Sequence, residues 1–219
     1  MISIKQQIFS GIFYTAIARY SGIIISLGIT AILARLLSPN DFGIVAVATV
    51  IINFFGIFAN IGIPAAIIQN KELAKNDLNA IYMFTLWMGG ILSLLFFLSA
   101  WGIAKYYQDN RLILICKLLS INLFFTAASI VPNSMFYRDK DFKFIAFRTF
   151  IVQIIVGVLS ILAALKGMGL YTLVIQPILS SLIVWGISLR KYPQQLRLTF
   201  GIKVSRRYGT ILCTNFFSV

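Results

Sequence analysis

The sequence predicts an all-α integral membrane protein: a six-transmembrane-helix bundle followed by the start of a seventh helix. Hydrophobic residues make up 59% of its 219 residues and charged residues only 11%, whereas soluble domains are about 45–50% apolar and about 25% charged. The mean hydropathy is +0.91. Polar, turn-forming segments divide the apolar sequence into stretches long enough to cross a bilayer, which takes about 20 residues per helix. No strand-like alternation of comparable length competes with this reading.

Each predicted span ends at a cluster of polar or turn-forming residues. The first apolar stretch is too long for a signal peptide and contains Arg19, so we interpret it as a retained span. Pro39 and Asp41 are expected to end one helix and cap the next. The six predicted spans are residues 8–37, 42–68, 79–104, 112–136, 144–165 and 170–189.

The last thirty residues differ from the rest. We expect residues 1–189 to form the six-helix lobe and residues 190–209 to form a basic cytoplasmic connector that contains Pro193. Residues 210–219 are apolar but too few to cross a bilayer. They are interpreted as the truncated start of a seventh transmembrane helix.

The charge distribution predicts an orientation. Lys and Arg number 19 and Asp and Glu number 6, for a net charge of +13. Placing the N-terminus in the cytoplasm puts most loop cations on that side, as the positive-inside rule requires. These cations suit anionic headgroups, and no basic patch is large enough to follow a nucleic-acid backbone. Histidine is absent and the two cysteines are far apart in the chain, which excludes zinc sites, His-based catalytic triads and disulfide scaffolds.

Small and polar residues recur every three or four positions along five of the six spans. Any one stripe can be a packing seam in which Asn and Gln join helices. Together the stripes favour a bundle around a polar, water-accessible cavity, which a hydrophilic solute would need in order to cross. The candidate cavity residues from these stripes are Asn53, Asn60, Asn122 and Gln153.

Two arginines fall within predicted spans, and no carboxylate does. Arg19 lies near mid-membrane if the first helix begins near residue 8; otherwise the helix begins near Arg19, which then reaches the headgroups. Arg148 lies a few residues into the fifth span and is expected to reach the interface or to line the cavity. Asp139 and Asp141 stand among Arg138, Lys140 and Lys143, so we interpret them as a neutralised loop. A cationic cavity without carboxylates suits an anionic, phosphate-bearing substrate.

Four segments, in chain order, resemble bacterial polysaccharide flippases, the O-antigen and exopolysaccharide translocases of the MATE-like exporter superfamily. They are ARLLSPNDFG at 34–43, NIGIPAAIIQ at 60–69, PNSMFYRDKDF at 132–142 and GMGLYTLVIQ at 167–176. In the first segment we interpret Ser38, Pro39, Asp41 and Gly43 as a helix stop and cap at the external turn. Arg35 beside them either reaches outward or guards the external mouth.

The resemblance implies a carrier in the bacterial cytoplasmic (inner) membrane, without catalytic residues, metal or cofactor. Such carriers move an undecaprenyl-pyrophosphate-linked oligosaccharide to the periplasmic leaflet by alternating access between two six-helix lobes, while the lipid tail stays in the membrane. Arg19 and Arg148 are then the candidates for phosphate contact, and Asn53, Asn60, Asn122 and Gln153 for sugar contact. A polysaccharide polymerase and a chain-length regulator are the implied partners.

The chain departs from this family in length, because family members carry twelve to fourteen helices. We therefore expect either an amino-terminal fragment or a half-length protein that pairs with a second copy. A lipid II flippase, an inactive remnant and a membrane enzyme remain as alternatives. The absence of a carboxylate within the spans argues against a cation-coupled drug exporter, and the lack of a positioned acid, base or nucleophile argues against an enzyme.

Overall fold

The computed structural model describes residues 4–60, 62–70 and 73–192, with side chains from Tyr20 onward except that of Lys75. These residues form only helices, joined by short turns, which confirms the all-α class. The helices are α1 (Ile4–Leu36), α2 (Pro39–Ala59), α3 (Ile63–Gln69), α4 (Lys75–Tyr107), α5 (Arg111–Ala128), α6 (Ile130–Arg138), α7 (Phe142–Leu165) and α8 (Tyr171–Lys191).

Five helical segments of the described chain are long and apolar enough to cross a membrane. A shorter apolar helix, Tyr20–Leu36, is the part of α1 whose side chains are described. The chain is therefore a multi-pass membrane protein. The predicted seventh span at 210–219 and the connector beyond residue 192 lie outside the described residues, whereas Arg190 and Lys191 form the last turn of α8. The five long segments are Pro39–Ala59, Asn76–Tyr107, Arg111–Arg138, Phe142–Leu165 and Tyr171–Lys191.

The second predicted span, 42–68, is wrong as a single helix, because it divides into α2 and α3. Asn60 ends α2, and its side-chain amide donates to the Gly56 carbonyl at 3.0 Å. Gly62 then adopts a left-handed conformation with φ +67°, which glycine reaches without a steric penalty. Pro64 follows in the first turn of α3 and has no amide hydrogen to continue the earlier helix.

The fourth predicted span, 112–136, is also interrupted, at Ser129 between α5 and α6. Pro132 causes the break, because its nitrogen cannot donate to the carbonyl four residues earlier. The two helices still continue in one direction, as a single segment over Arg111–Arg138. The Ser129 hydroxyl donates to the Phe125 carbonyl at 2.7 Å, which satisfies one of the carbonyls at the end of α5.

The core lies between α2, α4 and α5. One large cluster of buried apolar side chains joins these helices to α3, α6 and the start of α8, and Phe96 and Ile115 are completely buried in it. Helix α8 lies between α5 and α7, and α1 has its extensive contacts with α7. Although α1 and α2 are consecutive, they therefore pack on different neighbours. Among the described helices, this arrangement leaves one face of α2 exposed.

Candidate functional site

The polar face of α2 is exposed. Thr49 and Asn53 lie one turn apart on it, and both side chains are exposed. The Thr49 hydroxyl donates to the Val45 carbonyl of its own helix, whereas Asn53 has no hydrogen-bond partner within the described part of the chain. Asn53 is about 21 Å from the start of α2 along its axis. An unpaired amide at this depth is unfavourable in hydrocarbon, so this face is suited to water, another polar protein surface or a polar solute.

The other two candidate asparagines are partly satisfied by their own helices. Asn60 is exposed and donates to the Gly56 carbonyl, so it serves as the end of α2 as well as a polar surface group. Asn122 on α5 is half-buried, and the Thr126 hydroxyl lies 3.5 Å from its Oδ1. No hydrogen bond among the described residues joins Asn53, Asn60 and Asn122 to one another. They are separate polar points on α2 and α5.

Gln153 joins α7 to α1. Its Nε2 donates to the Gly22 carbonyl at 2.7 Å, and its Oε1 lies 3.0 Å from where a Cβ on residue 22 would be. Only glycine at residue 22 lets the amide approach this closely without displacement. The polar stripe predicted on α7 therefore includes at least one interhelical contact, which is the packing-seam alternative at this position.

Arg148 on α7 is buried, with 8% of its surface exposed. Its Nη1 donates to Asn133 Oδ1 at 2.8 Å and to Ser188 Oγ at 2.7 Å, so it links α6, α7 and α8. These bonds hold the guanidinium against α6 and α8 instead of leaving it extended from the surface of α7. Its Nε is buried without an acceptor among the described residues, which leaves one donor of a buried cation unused.

Aromatic rings and ion pairs surround this arginine at the shared end of α6, α7 and α8. The Arg148 guanidinium carbon lies 5.2 Å from the centre of the Phe136 ring, and Phe136 stacks on Phe144 at 5.0 Å. Lys191 lies 4.0 Å from the centre of the Phe144 ring. Cations over aromatic faces are favourable when shielded from water. The aromatic cluster therefore stabilises the positive charge of Lys191 at the end of α8.

The loop between α6 and α7 provides polar partners for the residues at the end of α8. Asp141 forms a salt bridge with Lys191, and the Tyr192 hydroxyl donates to Asp139. Burial raises the pKa of Tyr192, and its hydrogen bond to Asp139 raises this pKa further, so the phenol stays protonated and donates. The sequence predicts a loop neutralised by its own cations; the structure adds partners from α8. Asp139 and Asp141 therefore both have partners at the end of α8.

The motif at residues 38–43 is a helix cap, as the sequence predicts. Ser38 is the N-cap of α2 and Pro39 its first residue. The Ser38 backbone and hydroxyl donate to Asp41 Oδ2 at 3.2 and 2.8 Å, and the Asp41 amide donates to Ser38 Oγ. Gly43 has open space around the position of a Cβ, so it is not required there by packing. Arg35 is exposed at the end of α1.

The structure therefore separates the sequence-predicted site residues. Asn53 is exposed and has no partner in the described ranges, while Gln153 and Arg148 bind neighbouring helices. Arg19 belongs to α1, but its side chain lies outside the described residues. Sequence reasoning missed Ser188 as an Arg148 partner, since the two are 40 positions apart and only the crossing of α7 and α8 brings them together. Within the described ranges, no group of three His, Cys, Asp or Glu side chains could hold a metal ion.

Comparison with known proteins shows where this arrangement belongs. A family model described as "Polysaccharide biosynthesis protein" matches residues 32–217. The chain is 25% identical over 152 residues to the succinoglycan biosynthesis transport protein ExoT of Rhizobium meliloti (strain 1021), covering 69% of this chain and 31% of that protein. It is 28% identical over 148 residues to the lipopolysaccharide biosynthesis protein WzxC of Escherichia coli (strain K12), covering 65% and 29% of the two chains.

A third relative comes from Bacillus subtilis. The teichuronic acid biosynthesis protein TuaB of Bacillus subtilis (strain 168) is 26% identical over 144 residues, covering 66% of this chain and 29% of TuaB. The matched segment thus spans less than a third of each of these three relatives. No solved structure gives a significant match to the chain.

Proposed function

The chain belongs to the polysaccharide biosynthesis protein family, and from that premise we propose that it is part of a polysaccharide carrier. The carrier translocates an undecaprenyl-pyrophosphate-linked oligosaccharide from the cytoplasmic to the periplasmic leaflet of the bacterial inner membrane. In this proposal residues 1–189 form one six-helix lobe with its N-terminus in the cytoplasm. The protein moves its substrate without altering it and is not an enzyme.

The exposed amide of Asn53 is the observation that carries the proposal. A membrane helix that faced only lipid would not place an unpaired amide near its middle. Amide groups match sugar hydroxyls, which both donate and accept hydrogen bonds. The relatives support a polysaccharide role, since ExoT is named as a succinoglycan biosynthesis transport protein and WzxC as a lipopolysaccharide biosynthesis protein.

We assign the remaining site residues within this proposal as follows. Asn60 extends the sugar-contacting face of α2, and Asn122 and Gln153 provide amides on α5 and α7. Arg19 and Arg148 are the proposed phosphate contacts. For Arg148 the supporting feature is the unused Nε donor, since an arginine binds phosphate through several N–H groups at once.

The proposal is tested in cells that carry the gene for this protein and are depleted of its product. Depletion should leave the lipid-linked oligosaccharide intact but confined to the cytoplasmic leaflet, where a periplasmic glycosidase or ligase cannot reach it. Wild-type protein should restore surface polysaccharide. Asn53→Leu should not restore it, while Phe54→Leu, at the same depth but about 100° around the helix, should.

Two results would contradict the proposal. Accumulation of a peptidoglycan precursor instead of a glycan intermediate would indicate a lipid II flippase. A chemically altered intermediate, formed by the purified protein without transfer between leaflets, would indicate an enzyme. Protein levels measured by immunoblot in membranes show that each variant is made and inserted.

A further inference from the structure

Lys117 is a cation on the membrane-facing side of α5. Leu114 and Ile121, about one turn before and after it, are 46% and 44% exposed. Lys117 is itself half-buried and lies about 9 Å along the axis from the start of α5. A lysine at this depth can extend its four-carbon chain toward the headgroups. Its ammonium group is therefore near the boundary between hydrocarbon and headgroups.

Two aromatic rings of α4 hold the ammonium group in place. Its Nζ lies 4.2 Å from the centre of the Trp101 ring and 5.2 Å from that of Phe97. No carboxylate forms a salt bridge with it within the described residues. Cation–π contact stabilises the charge only in part, so a positioned cation is left at the membrane surface without a counter-charge from the part of the chain that the structure describes.

An apolar depression on α4 lies deeper in the membrane on the same helix. Gly90 lines it, and nothing lies within 4 Å of the position of a Cβ there. From Trp101 to Trp87 the helix runs about 21 Å, more than the ~15 Å half-thickness of a bilayer core. Exposed Leu98 and Leu94 lie between them. The depression has a volume of about 300 Å³ and is lined by Met83, Leu86, Trp87, Gly90, Ile91 and Leu94.

We propose that this face of α4 and α5 binds one anionic phospholipid, with its phosphate on Lys117 and Trp101 and an acyl chain in the depression at Gly90. The missing counter-charge of Lys117 selects an anionic headgroup, and Gly90 lies about 17 Å along the axis from Trp101, close to the ~15 Å half-thickness of a bilayer core. This is the leaflet at the α4–α5 turn, which the proposed orientation makes the periplasmic one. The site is separate from the polar face of α2 and does not depend on the proposed transport.

The test measures lipid binding to the purified full chain in detergent by native mass spectrometry. Phosphatidylglycerol and phosphatidylcholine with identical acyl chains are the probes. Wild-type protein should retain one phosphatidylglycerol in preference to phosphatidylcholine. Lys117→Gln should weaken phosphatidylglycerol binding by about fivefold, which is the contribution of one surface cation, and Lys117→Arg should preserve it. Lys105→Gln, an exposed cation at the same end of the helices, is the matched control and should bind as wild type.

A second variant tests the acyl-chain part independently. Gly90→Leu fills the depression, where there is room for a side chain, and should weaken binding of both lipids. The proposal is overturned if Lys117→Gln binds phosphatidylglycerol as tightly as wild type. Equal losses in Lys117→Gln and Lys105→Gln would also overturn it, because they would show general charge attraction without a site. Unchanged lipid binding in Gly90→Leu would show that no acyl chain binds in the depression.

Discussion

Helices α4 and α5 and helices α1 and α7 form close helix pairs by different means. Between α4 and α5 the pair belongs to a large buried cluster that also includes α2 and that buries Phe96 completely. Between α1 and α7 the buried apolar cluster among the described side chains is small, namely Ile29 and Leu33 of α1 and Leu37 just after it. The Gln153–Gly22 hydrogen bond supplements them. Among the described helices, α1 therefore depends mainly on one neighbour, whereas α5 is held from several sides.

This difference indicates where the molecule opens first. Regions with few buried apolar contacts open at lower free energy than the core. We expect α2, α4 and α5 to unfold together and α1 to separate from α7 before them. A carrier needs such a division between a rigid bundle and a more mobile helix, since alternating access requires some helices to move against others.

The largest expected effect is in the bundle core. Phe96→Ala removes a completely buried ring whose centre lies 5.4 Å from the centre of the Phe55 ring. The substitution should lower the free energy of unfolding by about 3–5 kcal/mol. Denaturant unfolding in mixed micelles measures this. Phe54→Ala, on the exposed side of α2, is the control, and an equal loss there would contradict the assignment of the core.

Substitutions at Gly89 and Gly157 allow the packing of the two helix pairs to be compared directly. A Cβ on residue 89 would lie 2.5 Å from Ala127 Cβ, which is fixed to the backbone of α5. A Cβ on residue 157 would lie 2.1 Å from Ile29 Cδ1, the end of a side chain that can rotate away. Gly89→Ala should therefore destabilise the protein by about 1–3 kcal/mol, the usual effect of overpacking, and Gly157→Ala by less. The reverse order in the same unfolding assay would contradict the comparison.

A smaller effect is expected at the α1–α7 hydrogen bond. Gln153→Leu keeps a side chain of similar size but removes the donor to the Gly22 carbonyl. Interhelical hydrogen bonds in membranes average about 0.6 kcal/mol, so total stability should change little. Hydrogen exchange should nevertheless become faster in α1 and remain unchanged in α4 and α5. Faster exchange throughout the bundle would show that α1 does not open separately.

The smallest effect is at the exposed α4–α5 turn. Arg111 donates to both carboxylate oxygens of Asp109, and this lowers the pKa of Asp109 from its usual 3.8. The carboxylate thus favours the folded protein above pH 3.8, and this small contribution is lost as the pH falls through the lowered pKa. In Arg111→Gln the pKa of Asp109, followed by carbon NMR, should return toward 3.8. The backbone amide of residue 111, which also donates to Asp109, keeps part of the shift, so the contradicting result is a pKa that does not rise at all.

Composition and turn residues were sufficient to predict the helices but not their interruptions. Gly62, Pro64 and Pro132 are visible in the sequence, yet each lies within a long apolar stretch that also suits one continuous span. Whether a proline bends a helix or ends it depends on the packing around it. Helix α2 ends at Asn60 and α3 begins after the left-handed Gly62, whereas α5 and α6 continue as one segment past Ser129.

The candidate site was predictable as a pattern and not as a set of contacts. Spacing of three and four residues placed Thr49 and Asn53 on one face of α2, and the structure leaves both exposed. The same spacing could not show that Gln153 bonds to α1 or that Arg148 is held by Asn133 and Ser188. Those contacts depend on which helices become neighbours, which a single sequence does not specify.

The most direct test of the central claim, that the polar face of α2 lines the substrate path, is thiol labelling of Asn53→Cys. Cys116 and Cys213 are first replaced by Ala, and Phe54→Cys, at the same depth on the apolar face, is the control. A membrane-impermeant thiol reagent should modify Asn53→Cys in membranes, and lipid-linked oligosaccharide should protect it, while Phe54→Cys stays unmodified. Equal labelling of the two positions, or labelling that the substrate does not change, would contradict the account.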